Sequence, residues 1–434
     1  LAPSLLRAFG GQEVVNLGGY SGVLMSNCVF YDRDTGRFWA FYVHGNSLLY
    51  RSSPDGVSWT EPEVVESAPY WFEGVSAWHN GPYVHLAYVV HEGTYYRLKY
   101  RFGSLGSDGT ASFADPVEVQ AYINPNSFSI CVDGENYVWI VFFDEDFNLV
   151  LRRSSSPGPW LPGGCSLSVG QLFMCDWWYR AVVPLGGSMV AVFANDYGSD
   201  GGNYFLYCFA TVSPDGAEVS GRYATSPYWD GKEFSMTKMG DRLFAALPCR
   251  TETDGRVVVL ELVGDQPTVR HIVPLQTPIT EVGVSICSLE TGGLVLLYAE
   301  PSQPGGEPDT VVMLKSWDGI TWGDREVLWE AGEPIFFVMA PPFSEAGNLP
   351  VLVGGSNLYF FNLTPTVEAP SVPPSPPPVA PTVVAQFQEV SPPYVFIYGD
   401  QLRVRVTDQY GNPLPEGSVV LVDGVPASRD GAYW

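Results

Sequence analysis

Aromatic residues stand next to acids at three places along this chain: APYWFEG (Ala68 to Gly74), CDWWYR (Cys175 to Arg180) and SPYWDGKEF (Ser226 to Phe234). A flat ring beside a carboxylate suits sugar recognition, because the ring stacks on the apolar face of a pyranose while the acid accepts its hydroxyl hydrogens. Tyr70, Trp71, Glu73, Asp176, Trp177, Trp178, Tyr228, Trp229 and Asp230 are therefore the candidate binding residues. A competing reading needs no ligand: the same rings could wedge neighbouring sheets together.

Catalysis is less well supported. Glycoside hydrolysis asks for two carboxylates at a suitable separation, and Glu73, Asp176, Asp230, Glu233 and Glu281 are available for it, but acids are plentiful in a chain of formal charge -25. No catalytic residue is assigned, and the expectation leans away from an enzyme. NDYGSDGGN (Asn195 to Asn203) and DEDFN (Asp144 to Asn148) offer clustered oxygens suited to calcium without the spacing of a defined calcium loop. The five histidines show no paired spacing and the cysteines no Cys-x-x-Cys, so no metal and no cofactor beyond that weak calcium option is expected. Cys165 and Cys175 flank a short loop and could close a disulfide, whereas Cys28, Cys131 and Cys287 sit in apolar strand patterns and read as buried thiols. Only four of the 22 basic residues are lysine, and so acidic a surface repels nucleic acid and anionic membrane. No apolar run reaches the length of a membrane-spanning helix. Asn362-Leu363-Thr364 is a glycosylation sequon where the host has the machinery.

The elements that position these residues repeat. CVFYDRDTGRFWAFYV (from Cys28), SAWHNGPYVHLAYVV (from Ser76), SICVDGENYVWIVFF (from Ser129), AVVPLGGSMVAVFA (from Ala181), SMTKMGDRLFAALPC (from Ser235), SICSLETGGLVLLYA (from Ser285) and MAPPFSEAGNLPVLVG (from Met339) each read as two apolar strands around a tight turn. Their starts lie about 50 residues apart, room for four antiparallel strands, which is one propeller blade. The fold expected is all-β: a seven-bladed β-propeller over residues 1–364, with six blades as the alternative. The seventh unit is short, and GQEVVNLGG (Gly11 to Gly19) reads as an N-terminal strand that completes it and closes the ring. Both Pro-Tyr-Trp copies and CDWWYR then fall in the segments that link one blade to the next.

Turns in two of the units read SPDGVSW (Ser53 to Trp59) and SWDGITW (Ser316 to Trp322). Both fit Ser-x-Asp-Gly-x-x-Trp and resemble the Asp-box of sialidase-like propellers, on Ser53, Asp55, Gly56, Trp59, Ser316, Asp318, Gly319 and Trp322. SPDGAEV (Ser213 to Val219), SDGTASF (Ser107 to Phe113) and SSSPGPW (Ser154 to Trp160) are weaker copies. In such turns the Asp accepts backbone N–H groups, Gly takes positive φ and Trp tucks between sheets. The resemblance implies fold rather than activity: the Arg-Ile-Pro motif of sialidases does not occur, and Arg33 and Arg37 fall in a hairpin turn.

Residues 365–381 (PTVEAPSVPPSPPPVAP) hold eight prolines in 17 positions and predict an extended spacer reaching ~50 Å at ~3.1 Å per residue. Residues 382–434, with QLRVRVTD and SVVLVDGVP, are similar to the Ig-like repeats of bacterial and archaeal surface proteins, implying a β-sandwich that is incomplete in 53 residues. The Leu at position 1 fits a removed leader or a disordered start. Together these features predict an extracellular, cell-surface or virion-surface recognition, adhesion or assembly protein. Its expected partners are a glycan or a surface protein, with self-assembly through the Ig-like module. A propeller-type glycoside hydrolase or lyase, and a structural subunit of a surface layer, filament or virus particle, are the alternatives.

Overall fold

The computed structural model describes residues 5–7, 13–21, 23–146, 148–162, 166–171, 180–187, 189–197, 203–213, 216–224, 234–250, 255–263, 266–275, 283–302, 306–367, 421–422 and 425–426. The chain divides into two units, Leu1–Ala369 and Pro370–Trp434. In the second, Leu421–Val422 pairs antiparallel with Val425–Pro426. Residues 365–367 of the expected spacer belong to the first unit, and the rest of the spacer and of the Ig-like module lies outside the described residues.

The first unit is a seven-bladed β-propeller, with no helix among its described residues. Blade 1 runs Val29–Asp32, Arg37–His44, Ser47–Ser53, Glu63–Ser67, from inner to outer strand. Blades 3 to 6 repeat that order, opening on inner strands Ile123–Val132, Arg180–Gly186, Ser235–Met239 and Val284–Ser288. Inner strands of successive blades touch in sequence from blade 1 to blade 7, and the second strand of blade 7 meets the inner strand of blade 1. The second strands are therefore covered on both faces, and Leu294–Glu300 is buried at all seven positions. This explains why the sequence there reads as an unbroken apolar run and not as an alternation.

Blade 7 contributes Phe337–Met339, Leu349–Gly354 and Leu358–Leu363, and its fourth strand is the N-terminal segment Glu13–Gly18, antiparallel to Leu358–Leu363. Alternation along that strand sends Val14 into the core shared by blades 6 and 7, and Val15 into the one between blades 7 and 1. The expected closure is thus present, and a fifth strand, Leu5–Arg7, adds to its edge.

Blade 2 departs from the repeat. Beyond Phe72–Asn80, Tyr83–His91 and Tyr96–Leu105, its outer strand is split into Ala111–Phe113 and Val117–Ala121, both paired to the third. On its inner side Val23–Ser26 pairs parallel to Phe72–Asn80, so an additional strand lies within the ring.

The turns between first and second strands gather on one face of the ring and touch each other. Asn80 Nδ2 donates to Asn136 Oδ1 at 2.8 Å, and Gly134 N to Gly187 O at 2.9 Å. Lys238 donates to the Leu185 carbonyl and Thr237 to that of Pro342. Arg33 pairs with Glu290, and His79 Nε2 lies 2.9 Å from Glu345 Oε2. The segment 340–348 of blade 7 crosses the ring centre. Its Phe343 packs on Trp78 of blade 2 and on the core between blades 4 and 5, which face each other across the axis.

Candidate functional site

Sequence order places the second-to-third-strand turns and the links between blades on the opposite face. There the top of blade 2 carries two groups of aromatic rings, one of Tyr70, Trp71, His91 and Tyr96 and one of Tyr95 and Tyr122. Trp71, just before the inner strand, accepts the His91 N–H on its carbonyl at 3.0 Å, and Tyr96 is the cross-strand partner of His91. Adjacency in the ladder stacks their side chains. The Trp71 indole lies on the His91 imidazole, with centroids 3.9 Å apart and planes within 12°, and Tyr96 follows at 4.8 Å from His91. Since His91 covers one face of the indole and Trp71 is still 44% exposed, the other face is open. Tyr70 is 48% exposed and sets its edge against His91 at 5.9 Å.

Glu73 sits beneath this row. Its Oε1 accepts the Trp71 Nε1–H at 2.6 Å, and it is hydrogen-bonded to Tyr96; burial first, then the nearby Glu73 charge, raise the Tyr96 phenol above its ordinary pKa. A carboxylate has about four acceptor positions, so hydroxyl donors can still be received. On the outer side Tyr122 is 50% exposed, stands 4.8 Å from Tyr95, and takes φ = 57°.

The surrounding charges are paired. Arg97 binds Glu92 at 2.7 Å and also Glu118, with its guanidinium 4.9 Å from the Tyr95 ring. Lys99 binds Glu92 at 3.0 Å, and Arg101 reaches Glu66 at 3.3 Å. Burial pushes the Glu92 carboxyl up, but Lys99 and Arg97 outweigh it and the net displacement is downward.

Of the residues singled out in the sequence, the structure brings Tyr70, Trp71 and Glu73 together. Asp176, Trp177, Trp178, Tyr228, Trp229 and Asp230 lie outside the described residues, as do Cys165 and Cys175. His91, Tyr95, Tyr96 and Tyr122 were not singled out; their signal was aromatic residues at the ends of strands next to the Pro-Tyr-Trp link. Cys28, Cys131 and Cys287 are buried thiols.

The turns Ser53 to Trp59 and Ser316 to Trp322 lie on the other face. Asp55 Oδ1 accepts from Val57 N at 2.8 Å and Ser58 N at 2.7 Å, and Asp318 Oδ1 from Ile320 N at 2.8 Å and Thr321 N at 2.6 Å. Gly56 (φ = 76°) and Gly319 (φ = 73°) receive no side chain's strain, and their N–H groups donate to Ser53 Oγ and Ser316 Oγ. Trp59 packs on Phe360 of blade 7 with centroids 4.6 Å apart, and Trp322 on His271 of blade 5. Asp144, in the segment considered for calcium, has its Oδ1 engaged by Asp146 N at 3.0 Å and Asn148 N at 2.8 Å. Among the described residues no group of three or more His, Cys, Asp or Glu is placed to hold a metal.

A cleft of about 110 Å³ near the axis is lined by Asn27, Phe30, Trp78, His79, Pro341, Pro342 and Phe343, and is mostly apolar. It offers one titratable group, and that one, His79, is already engaged by Glu345. The blade 2 rim is the better candidate.

Fold and site together define a β-propeller with an aromatic rim. No family model matches the chain, and no curated protein matches it. Among solved structures it is similar to the BP39L lectin from Burkholderia pseudomallei, at 14% identity over 80% of this chain and 96% of that one, with a TM-score of 0.59. It is also similar to an ulvan lyase described as a new family of polysaccharide lyase, at 9% identity over 83% and 96%, with a TM-score of 0.53. That lyase is also known bound to a -[GlcA(1-4)Rha3S]- chain. At these identities the likeness establishes the fold.

Proposed function

We propose that this protein is a glycan-binding recognition head of an extracellular, cell-surface or virion-surface protein, and that the blade 2 rim is its binding site. The carrying observation is the open face of Trp71, held flat by His91 and flanked by a carboxylate that two neutral donors orient. Rigid rings with little conformational entropy to lose make good stacking platforms.

Chain direction supports a presenting role. Leu358–Leu363 ends on the turn face, and Val367 lies against Gly293 in a blade 6 turn and against the blade 6/7 core. The chain therefore leaves the propeller on the face opposite Trp71. A proline-rich spacer and an Ig-like module would suit a presented head, and self-association through the module would multiply weak sites. The turns at Ser53 and Ser316 are read as Asp-box turns that serve blade packing.

A hydrolase or lyase has less support. Of the carboxylates considered for catalysis only Glu73 is among the described residues, so no facing pair is in place for a general acid and a base. The test is a glycan array run beside a depolymerisation screen on the same glycans: binding without turnover is expected, and turnover of the bound glycan would replace this reading with the enzyme one.

A further inference from the structure

The charge pattern of the rim goes further than glycan binding in general. Around the ring row stand four carboxylates, Glu66, Glu73, Glu92 and Glu118, against three cations, Arg97, Lys99 and Arg101. Every one of those cations already has a carboxylate partner, whereas Glu73 is held by the neutral donors Trp71 and Tyr96. A uronate or sulfate laid on Trp71 would meet the Glu73 charge with no unengaged cation in the row, and like charges disfavour each other more as water is displaced. Hydroxyls meet an acceptor there.

Tyr122 adds a second observation. Left-handed backbone is unfavourable for an aromatic residue, and such strain persists where surroundings impose it, often at ligand sites. Here it holds a half-exposed ring at the link to blade 3, on Tyr95 and away from any core cluster.

Resting on the reading of the rim as a glycan site, we propose that it takes a neutral oligosaccharide, stacked on Trp71 at one end and on Tyr122 at the other, and discriminates against uronate- and sulfate-bearing chains. Tyr122→Asn is the informative variant, because Asn tolerates positive φ and removes the ring without a backbone penalty. The full chain, Trp71→Ala and Tyr122→Asn are titrated with neutral oligosaccharides (gluco-, manno-, galacto- and fucosylated series), with oligogalacturonate, ulvan and heparin fragments, and with choline; near-UV circular dichroism monitors the fold. The expected result is binding confined to a neutral series, with each variant folded and weakened about three- to tenfold, the range of an aromatic stacking contact. Tighter binding of an anionic series through Trp71 would overturn the neutral preference and leave the glycan site standing. Unchanged affinity in Tyr122→Asn would overturn the second platform. Binding of choline in place of every glycan, or of no glycan at all, would overturn the glycan reading itself.

Discussion

Phe343 meets Trp78 edge to face, ring centroids 6.3 Å apart and planes at 82°, although one belongs to blade 7 and the other to blade 2. The contact joins non-adjacent blades near the axis, where the segment 340–348 crosses. The polar contacts between turns add to it. The aromatic row of blade 2 stands on the opposite face.

Phe343→Ala should therefore cost stability and not affinity. A fully buried Phe costs about 3–5 kcal/mol when truncated; Phe343 is partly buried, so about 2 kcal/mol is expected. Urea unfolding measures the loss, and glycan titration should give an unaltered Kd.

The seam between the last blade and the first depends on two ends of the chain meeting. Trp59 of blade 1 is 8% exposed, packs on Phe360 of blade 7 and donates its Nε1–H to Gly56 O at 3.0 Å. Trp59→Ala should destabilise by about 3 kcal/mol, and Val15→Asp, which puts an unpaired charge into the closing strand, by at least as much. Thermal melts followed by circular dichroism check both.

Asp55 should make stability depend on pH. Burial pushes its carboxyl up, but the Ser58 and Val57 amides and the Ser58 and Ser53 hydroxyls hold it down at about 2, from an ordinary 3.8. Folding thus favours the ionised form: the contribution is complete above about pH 4 and is lost as pH falls towards 2. At this exposed turn solvent screening keeps it within about 1 kcal/mol. Asp55→Asn should be less stable than wild type at pH 7, and the gap should close near pH 2 in denaturant titrations.

Presentation can be tested by orientation. Protein immobilised through a tag after Trp434 should bind glycan in full, whereas a Thr94→Cys variant coupled through that cysteine, in the turn beside Tyr95, should lose most of its capacity. Surface plasmon resonance on the two surfaces reads the difference.

The repeat made most of the fold legible. Seven apolar hairpins at a constant spacing give blade number, and the short seventh unit with GQEVVNLGG upstream gives the closing strand. Val23–Ser26 was not legible: four residues pairing in parallel with a strand about 50 positions away carry no local turn signal. The crossing by 340–348 was hidden for a similar reason, since MAPPFSEAGNLPVLVG reads as an ordinary hairpin and nothing local reveals that Phe343 spans the axis. At the site, Tyr70, Trp71 and Glu73 stood out as a cluster in sequence. His91, Tyr96 and Tyr122 did not, because strand pairing, not sequence proximity, brings them beside Trp71.

Isothermal titration of a neutral array-selected oligosaccharide into wild type and Trp71→Ala is the most direct test of the central claim. The account predicts a rise in Kd of about three- to tenfold for a variant whose near-UV spectrum still reports a folded propeller. An equal Kd in the two proteins would contradict it and move the binding site off the blade 2 rim.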